Sequence, residues 1–117
     1  MMRMMSGMTI KITAWTLWRV NVVYEEGNGS KVRPILITSM GNNKIRAYKI
    51  TKHSPRTGYP EYRICRWEQA GLNKESTIRF HYWLRLEEKD LISYIGKLSD
   101  EDIFNVLSLC MQRKFPL

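Results

Sequence analysis

Cysteine and histidine are both scarce in this sequence, which has two residues of each type among its 117. The histidines, His53 and His81, are too few for a multi-histidine zinc site. The cysteines, Cys65 and Cys110, lie far apart and form no ligand or redox motif. We therefore expect no metal site, and reduced core thiols of the kind found in a cytosolic protein.

Long apolar runs and cofactor-binding motifs are absent as well. The longest apolar stretch, residues 10–24, is interrupted by Lys11 and Arg19 and is shorter than the ~20 residues that a membrane-spanning helix needs. The Met-rich start, MMRMMSGM, lacks the sustained apolar region of a signal peptide. No Gly-rich phosphate loop and no nucleophile elbow occurs in the sequence. We expect a cytoplasmic protein with no membrane segment and, if it is an enzyme, no metal or organic cofactor.

Positive charge, in contrast, is abundant. The sequence has 19 Lys and Arg residues against 11 Asp and Glu, a formal net charge of +8 and a pI of about 9.7. This charge favours an anionic partner, which can be nucleic acid, an acidic protein segment or a membrane surface. A hydrophobic fraction of 44% excludes a disordered chain, and 117 residues suffice for one domain with its own core.

The pattern of apolar residues predicts a series of short strands. Strands are predicted at residues 18–24, 32–39, 44–51, 61–67, 76–87 and 92–98, and residues 52–60 are predicted to form an exposed loop. The alternation of polar and apolar residues changes phase between Arg46 and Lys49, which indicates a bulge. Such a bulge would change the direction of the Thr51 side chain.

One helix is predicted after the last strand. Ser99 is its expected N-cap, with Asp102 three residues on as a capping-box variant. Its apolar face comprises Ile103, Val106, Leu107 and Cys110. Strands followed by a terminal helix predict a mainly β fold, a compact antiparallel barrel closed by the helix.

The clearest alternation in the chain lies at residues 76–87. One set of side chains is apolar and comprises Ile78, Phe80, Tyr82, Leu84 and Leu86. The other set is largely basic and aromatic and comprises Thr77, Arg79, His81, Trp83 and Arg85. We predict that the first set faces the core and that the second forms one basic, aromatic surface.

Four stretches of the sequence resemble the MazF/PemK family of toxin endoribonucleases: WRVNVVYEEGNGSKVRPILI, AYKIT, WEQAGLNKESTIR and IGKLSDEDIFNVLSL. The resemblance covers residues 17 to 110, most of the chain. It implies an SH3-like barrel with appended helices, which we assign to residues 17–117; residues 1–16 are predicted to be a variable, Met-rich extension without a counterpart in the family. It also implies a homodimer that cleaves single-stranded RNA, and an antitoxin whose acidic, disordered tail covers the RNA groove.

The resemblance implies catalytic roles for Arg33 and Thr51. Arg33 matches the Arg of the family's Arg-Pro motif, which acts at the scissile phosphate, and Thr51 matches a strand-end Thr or Ser that assists by hydrogen bonding. A guanidinium suits the first role because it offers a planar fork of donors and stays charged. Two alternatives remain open: Arg33 pairs with Glu25 or Glu26 across the turn, and Thr51 is an ordinary strand-end residue.

Some family members place an Arg and, two residues later, an Asp on the strand that corresponds to residues 76–87, and assign them acid–base work. Here Arg79 is retained and His81 replaces the carboxylate. Neutral imidazole accepts a 2′-hydroxyl proton near neutral pH, and the cationic neighbours Arg79 and Arg85 favour the neutral form. The alternative is a surface or interface histidine with no chemical role.

Further residues are predicted to contact RNA, namely Lys31, Lys52, His53, Arg56, Trp83 and Arg85. The cations Lys31, Lys52 and Arg56 are general phosphate contacts or solvated charges. Trp83 either stacks on an unpaired base or is buried at a dimer contact or under a loop.

The leading interpretation is a metal-independent, sequence-selective endoribonuclease, an mRNA interferase, that is the toxin of a type II toxin–antitoxin pair. Its chemistry uses the 2′-hydroxyl of RNA as a built-in nucleophile. A second class is a non-catalytic module on the same barrel that binds RNA or inhibits gyrase. A third is a basic structural domain whose charge serves only solubility.

Overall fold

The computed structural model of the chain describes residues 2–5, 8–23 and 29–117. Within these residues the backbone forms eight strands, a 3₁₀ turn at Glu88–Asp90 and a C-terminal α-helix. The strands are β1 (Met2–Met5), β2 (Met8–Lys11), β3 (Thr16–Val23), β4 (Ser30–Gly41), β5 (Lys44–Thr51), β6 (Glu61–Arg63), β7 (Thr77–Leu86) and β8 (Leu91–Lys97). The helix, α1, spans Asp100–Arg113.

Six of these strands form one antiparallel sheet in the order β6-β7-β5-β4-β3-β8, while β1 and β2 pair with each other as a hairpin. The predicted mainly β, compact antiparallel fold with a C-terminal helix is confirmed. The hairpin was not predicted, and Tyr24 of the first predicted strand lies outside the described residues. The boundary between residues 16 and 17 stays a prediction, although Ile12, which precedes it, is buried in the core.

Both faces of the sheet are covered by apolar clusters. The helix-side core comprises Leu17, Leu36, Tyr48, Ile50, Ile64, Ala70, Ile78, Phe80, Leu98, Val106 and Cys110. The opposite core comprises Ile12, Trp18, Val20, Ile35, Ile37, Ile45, Ala47 and Leu91. Because successive side chains of a strand point to opposite faces, a strand buried on both sides is apolar at every position, as Ile35 to Ile37 are.

Strand β7 changes faces along its length, which corrects the predicted single core face. Its pairing with β5 jumps from Tyr48↔Trp83 to Lys49↔Arg79, so that residues 80–82 form a bulge of three extra residues. Ile78 and Phe80 therefore lie in the helix-side core, whereas Leu84 and Leu86 pack against the opposite core. The basic and aromatic set is split in the same way: Arg79 lies on one face of the sheet, and Trp83 and Arg85 lie on the other.

The bulge predicted within β5 is also displaced. Strand β5 keeps regular alternation, and the extra residues lie in its two neighbours, at Thr38 of β4 and at residues 80–82 of β7. The predicted strand at residues 61–67 ends at Arg63. It ends early because the backbone N–H groups of Cys65 and Arg66 donate to a carboxylate at the start of α1 and not to a neighbouring strand.

That carboxylate belongs to Asp102, which is fully buried. It accepts hydrogen bonds from the Tyr62 hydroxyl (2.5 Å), the N–H groups of Cys65 (2.8 Å) and Arg66 (2.9 Å), and the Ser99 hydroxyl (2.9 Å). Ser99 is the N-cap of α1, as predicted, because its side chain accepts from the Asp102 N–H. The helix buries Val106 and Cys110 and is thereby tied to the segment that follows β6.

Candidate functional site

A pocket of about 390 Å³ opens where β4 begins and β5 ends. Its polar lining is largely cationic and comprises Arg19, Lys31, Arg33, Thr51, Lys52, His53, Asn73 and Ser76. Its apolar lining comprises Val32, Pro34, Ile50, Leu72 and Ile95. We call it the strand-end pocket; its charge and shape suit an anionic ligand.

Arg33 lies near the start of β4, opposite Val20 of β3, and lines this pocket. The following Pro34 favours extended backbone at Arg33 and so fixes the direction of its side chain. Within the described part of the chain, the guanidinium group of Arg33 makes no hydrogen bond or ion pair. The alternative partners Glu25 and Glu26 lie outside the described residues.

Thr51 is the last residue of β5 and is buried beneath the pocket. Its hydroxyl oxygen accepts the N–H of His53 at 3.4 Å, and the hydroxyl hydrogen has no acceptor among the described residues. Its cross-strand partner Thr77 donates to the His53 carbonyl at 2.7 Å. The backbone after Thr51 is therefore held in place while one hydroxyl donor remains available to a ligand.

A second, smaller cavity of about 100 Å³ adjoins the strand-end pocket. It is lined by Thr51, His53, Ser54, Arg56, Glu61 and Arg79. Thr51 and His53 line both cavities, which are therefore adjacent, and we refer to the two cavities together as the groove. The groove thus brings Arg33, Thr51 and Arg79 together along one edge of the sheet.

Glu61 is the acidic centre of the smaller cavity, with a side chain that is 1% exposed. Its Oε2 accepts from Arg79 Nε at 3.0 Å and from Arg56 Nη2 at 3.1 Å, and its Oε1 accepts from the Arg56 N–H at 2.8 Å. Burial raises the pKa of Glu61, but the hydrogen bonds and charges of Arg56 and Arg79 outweigh burial and lower it overall. Glu61 is therefore a carboxylate that fixes both guanidinium groups.

His81 lies against these two guanidinium groups. Its Nε2 is 3.3 Å from Arg56 Nη2 and 3.4 Å from Arg79 Nη2, and 4.0 Å from Glu61 Oε2. Because a guanidinium only donates, Nε2 is the acceptor, which assigns the ring as neutral with its proton on Nδ1. Partial burial, the charge of Arg79 and that of Arg56 lower the pKa of His81, against an opposing effect of Glu61. The predicted cationic influence is thus present, but it comes from Arg56 and Arg79 and not from Arg85.

The predicted RNA-contacting residues fall into two groups. Lys31, Lys52 and His53 line the strand-end pocket, and Arg56 lines the smaller cavity. Trp83 and Arg85 are elsewhere, because the bulge of β7 turns them to the other face of the sheet. There Arg85 and Arg46 flank the ring of Trp83, which is 47% exposed, and Arg85 lines a separate cavity beside the turn between β4 and β5.

Several residues of the groove were missed by the sequence analysis. Glu61 was assigned only to a strand, although its cross-strand partner is Arg79, a pairing that a correct register would have indicated. Tyr59 was assigned only to the exposed loop, yet its ring centroid is 5.6 Å from that of His81. Arg19, Asn73 and Ser76 enter the pocket through β3 and the segment before β7, contacts that local patterns do not reveal.

Two further features bear on ligands and membranes. Among the residues that the structure describes, no three His, Cys, Asp or Glu side chains cluster as a metal site would need. In the same part of the chain, α1 is too short and too polar to cross a membrane, and no other helix is long and apolar enough.

Comparison with known proteins rests on structure, since no family model and no curated protein sequence matches the chain. An endoribonuclease in complex with its cognate antitoxin from mycobacterial species has a TM-score of 0.66 and 15% identity, over 92% of this chain and 99% of that one. An endoribonuclease from mycobacterial species has a TM-score of 0.63 and 14% identity, over 88% and 91%. The Mycobacterium tuberculosis toxin MazF-mt6 has a TM-score of 0.60 and 17% identity, over 85% and 99%.

These matches define the class of fold. The chain has the architecture of toxin endoribonucleases along nearly their whole length. More narrowly, this is the MazF-like fold, and the fold implied by the sequence resemblance is confirmed.

Proposed function

We propose that this protein is an endoribonuclease toxin that cleaves single-stranded RNA at preferred sequences without a metal ion. The observation that supports the proposal most is the groove itself. On a MazF-like fold, it joins the cationic strand-end pocket to the Glu61 cavity through Thr51 and His53. Arg33 and Thr51 line the first cavity, Thr51 and Arg79 line the second, and His81 contacts Arg79, so that one RNA segment passing both cavities would meet all four side chains.

Arg33 and Thr51 bind the scissile phosphate. Arg33 supplies a fork of charged donors, and Thr51 supplies one hydroxyl donor from a rigid strand end. Donors fixed before the reaction stabilise the charge that develops on the phosphate oxygens in the transition state. Arg79 adds a third set of donors, because Glu61 holds its Nε and leaves its terminal nitrogens toward the cavity and His81.

His81 is the general base. When RNA binds, the Arg56 and Arg79 guanidinium groups exchange their contacts with Nε2 for phosphate oxygens, and the neutral Nε2 then takes the proton of the 2′-hydroxyl as the 2′ oxygen bonds to phosphorus. The bond from phosphorus to the 5′ oxygen then breaks, which leaves a 2′,3′-cyclic phosphate on one fragment and a 5′-hydroxyl on the other. The departing 5′ oxygen takes a proton from water, and His81 gives its proton to water, so that the ring is neutral again and no net proton is consumed.

The surroundings of the groove support an RNA strand as the ligand. Lys31, Lys52, His53 and Arg56 border the groove and provide contacts to neighbouring phosphates. The same charge suits a competing acidic ligand, and one structural neighbour is an endoribonuclease in complex with its cognate antitoxin. For this protein we propose an antitoxin partner whose acidic, disordered tail occupies the groove.

We also propose a homodimer, as the family resemblance implies, with the groove running across both subunits. Sedimentation at micromolar concentration tests this state, and a purely monomeric protein contradicts it. Trp83→Ala tests whether the exposed Trp83 face contributes to the dimer contact. If Trp83 lies there, the variant shifts the equilibrium toward monomer, and an unchanged equilibrium places the contact elsewhere.

The central experiment incubates the purified protein with a long single-stranded RNA in the presence of a chelator. Discrete fragments that end in a cyclic phosphate or a 3′-phosphate are the expected result. An Arg33→Ala variant prepared in parallel excludes a contaminating nuclease, since it should yield no fragments. Binding of RNA without fragments identifies a non-catalytic module and contradicts the proposal.

A further inference from the structure

Tyr59 differs from the other aromatic residues near the groove because it does not pack into either apolar core. It lies in the loop between β5 and β6, its side chain is 50% exposed, and it belongs to neither apolar cluster. The Arg56 guanidinium carbon lies 3.8 Å from the centroid of its ring. A half-exposed ring that is backed by a cation is suited to receive a second planar group.

The loop that carries Tyr59 is held at its base. The Tyr59 N–H donates to the Arg56 carbonyl at 3.3 Å, which closes a four-residue turn. Gly58 occupies the third position of the turn with φ of 83°, a conformation that favours glycine. The backbone N–H and the side chain of Arg56 both bond to the buried carboxylate of Glu61. The ring is therefore anchored to the sheet although it is exposed.

The anchored ring lies next to His81, the proposed general base. Its centroid lies 5.6 Å from that of His81, at an interplanar angle of 47°. Glu61, which anchors the turn, also bonds to Arg79. A nucleotide whose phosphate contacts Arg79 can therefore place its base over Tyr59, which lies beside the groove against Arg56 and His81.

We propose that Tyr59, backed by Arg56, is a nucleobase-binding subsite for a nucleotide adjacent to the scissile phosphate. The inference rests on the proposed function. A base is favoured over an apolar protein segment because the ring is a single aromatic surface among cations, with no other large exposed hydrophobic residue in residues 52–60. Stacking on a free ring face together with contacts to phosphate is the usual combination in proteins that bind single-stranded RNA.

The test uses an RNA that the wild-type protein cleaves, made resistant by a 2′-deoxy sugar at the mapped cleavage site. Dissociation constants are measured for this RNA and for versions with an abasic nucleotide at each of the flanking positions. Tyr59→Ala should weaken binding of the intact RNA by roughly 5- to 100-fold, the range expected for the loss of one stacked base. Tyr59→Phe keeps the ring and should stay within about twofold of the wild type.

The abasic series identifies stacking directly. At one position the abasic RNA should bind the wild type as weakly as Tyr59→Ala binds the intact RNA, and Tyr59→Ala should lose nothing further there. Phe104→Ala is the control, because Phe104 is an exposed aromatic residue of α1 that lines neither cavity of the groove. For this control, the ratio of the affinity for the intact RNA to that for each abasic RNA should equal the wild-type ratio.

The outcomes separate this inference from the function on which it rests. If the wild type cleaves no RNA, the proposed function fails and the subsite fails with it. Suppose that the wild type cleaves RNA, but that the ratio of the affinity for the intact RNA to that for the abasic RNA is the same in Tyr59→Ala and the wild type at every position. Only the subsite is then overturned. Equal losses in Tyr59→Phe and Tyr59→Ala also overturn it, because they assign the contact to the hydroxyl group and not to the ring.

Discussion

Removal of the Asp102 carboxylate is the most demanding test of the fold, because this buried group holds α1 to the segment after β6. In Asp102→Ala, four donors lose their acceptor: the hydroxyls of Tyr62 and Ser99 and the N–H groups of Cys65 and Arg66. An unsatisfied buried donor costs about 1–3 kcal/mol. Water can reach the chain at Cys65 and Arg66, so we expect a total loss of about 3–5 kcal/mol in the free energy of unfolding.

This loss is measurable by urea denaturation, with the tryptophan fluorescence of the four Trp residues as the signal. Thermal unfolding should show a decrease in Tm of about 10–20 °C for a domain of this size. Asp102→Asn keeps one acceptor oxygen and should fall between Asp102→Ala and the wild type.

The pH dependence gives a second readout with a defined sign. Burial raises the pKa of Asp102, but hydrogen bonds from Tyr62, Arg66, Cys65 and Ser99 outweigh burial and lower it overall. Its stabilising contribution is therefore complete above the pKa of an unfolded Asp, about 3.9, and is lost as pH falls through the lower folded value. The difference between wild type and Asp102→Ala should shrink over that range. A difference below about 1 kcal/mol at pH 7 would refute the assigned role, because it is less than the cost expected for one orphaned donor.

Three further predictions concern the proposed activity. Arg33→Ala should lower the cleavage rate by ~100–1000-fold without changing the far-UV spectrum, and wild-type cleavage by the folded variant contradicts the phosphate role. His81→Ala should lower the rate by ~100-fold or more at neutral pH. The wild-type rate should rise with pH through an apparent pKa below the usual ~6.5 of imidazole, because burial and Arg79 lower the pKa of His81; an identical profile in His81→Ala excludes the base. RNA affinity should fall ~50-fold between 50 and 200 mM salt if four phosphates are contacted, whereas a flat response makes the cationic groove incidental.

Local pattern was enough to place the main elements of the sheet and the start of the helix. Residues 44–51 were predicted as a strand and form β5, because turn and loop residues bound a segment in which polar and apolar residues alternate over most of its length. Ser99 was predicted as an N-cap because its hydroxyl acts within one helical turn. Arg33 and Thr51 were expected together and do line one pocket, since the start of β4 and the end of β5 meet at the same sheet edge.

The same local patterns did not predict how the strands pair with one another. The alternation at residues 76–87 is unbroken in sequence, yet the bulge at residues 80–82 moves its second half to the other core. Period-two patterns describe one strand and do not show where its pairing with a neighbour is interrupted by a bulge. For this reason Trp83 was grouped with Arg79, while Glu61, which pairs with Arg79 across strands, was overlooked.

The face change of β7 has a consequence for how the protein unfolds. The strand contributes Ile78 and Phe80 to one apolar cluster and packs Leu84 and Leu86 against the other, so neither cluster is complete without it. Detachment of β7 removes side chains from both sides of the sheet at once, and no stable half-structure is left with an intact core. We therefore expect the two clusters to melt as one cooperative unit. The hydrogen-exchange protection of the amides that flank the bulge should converge on the global free energy of unfolding.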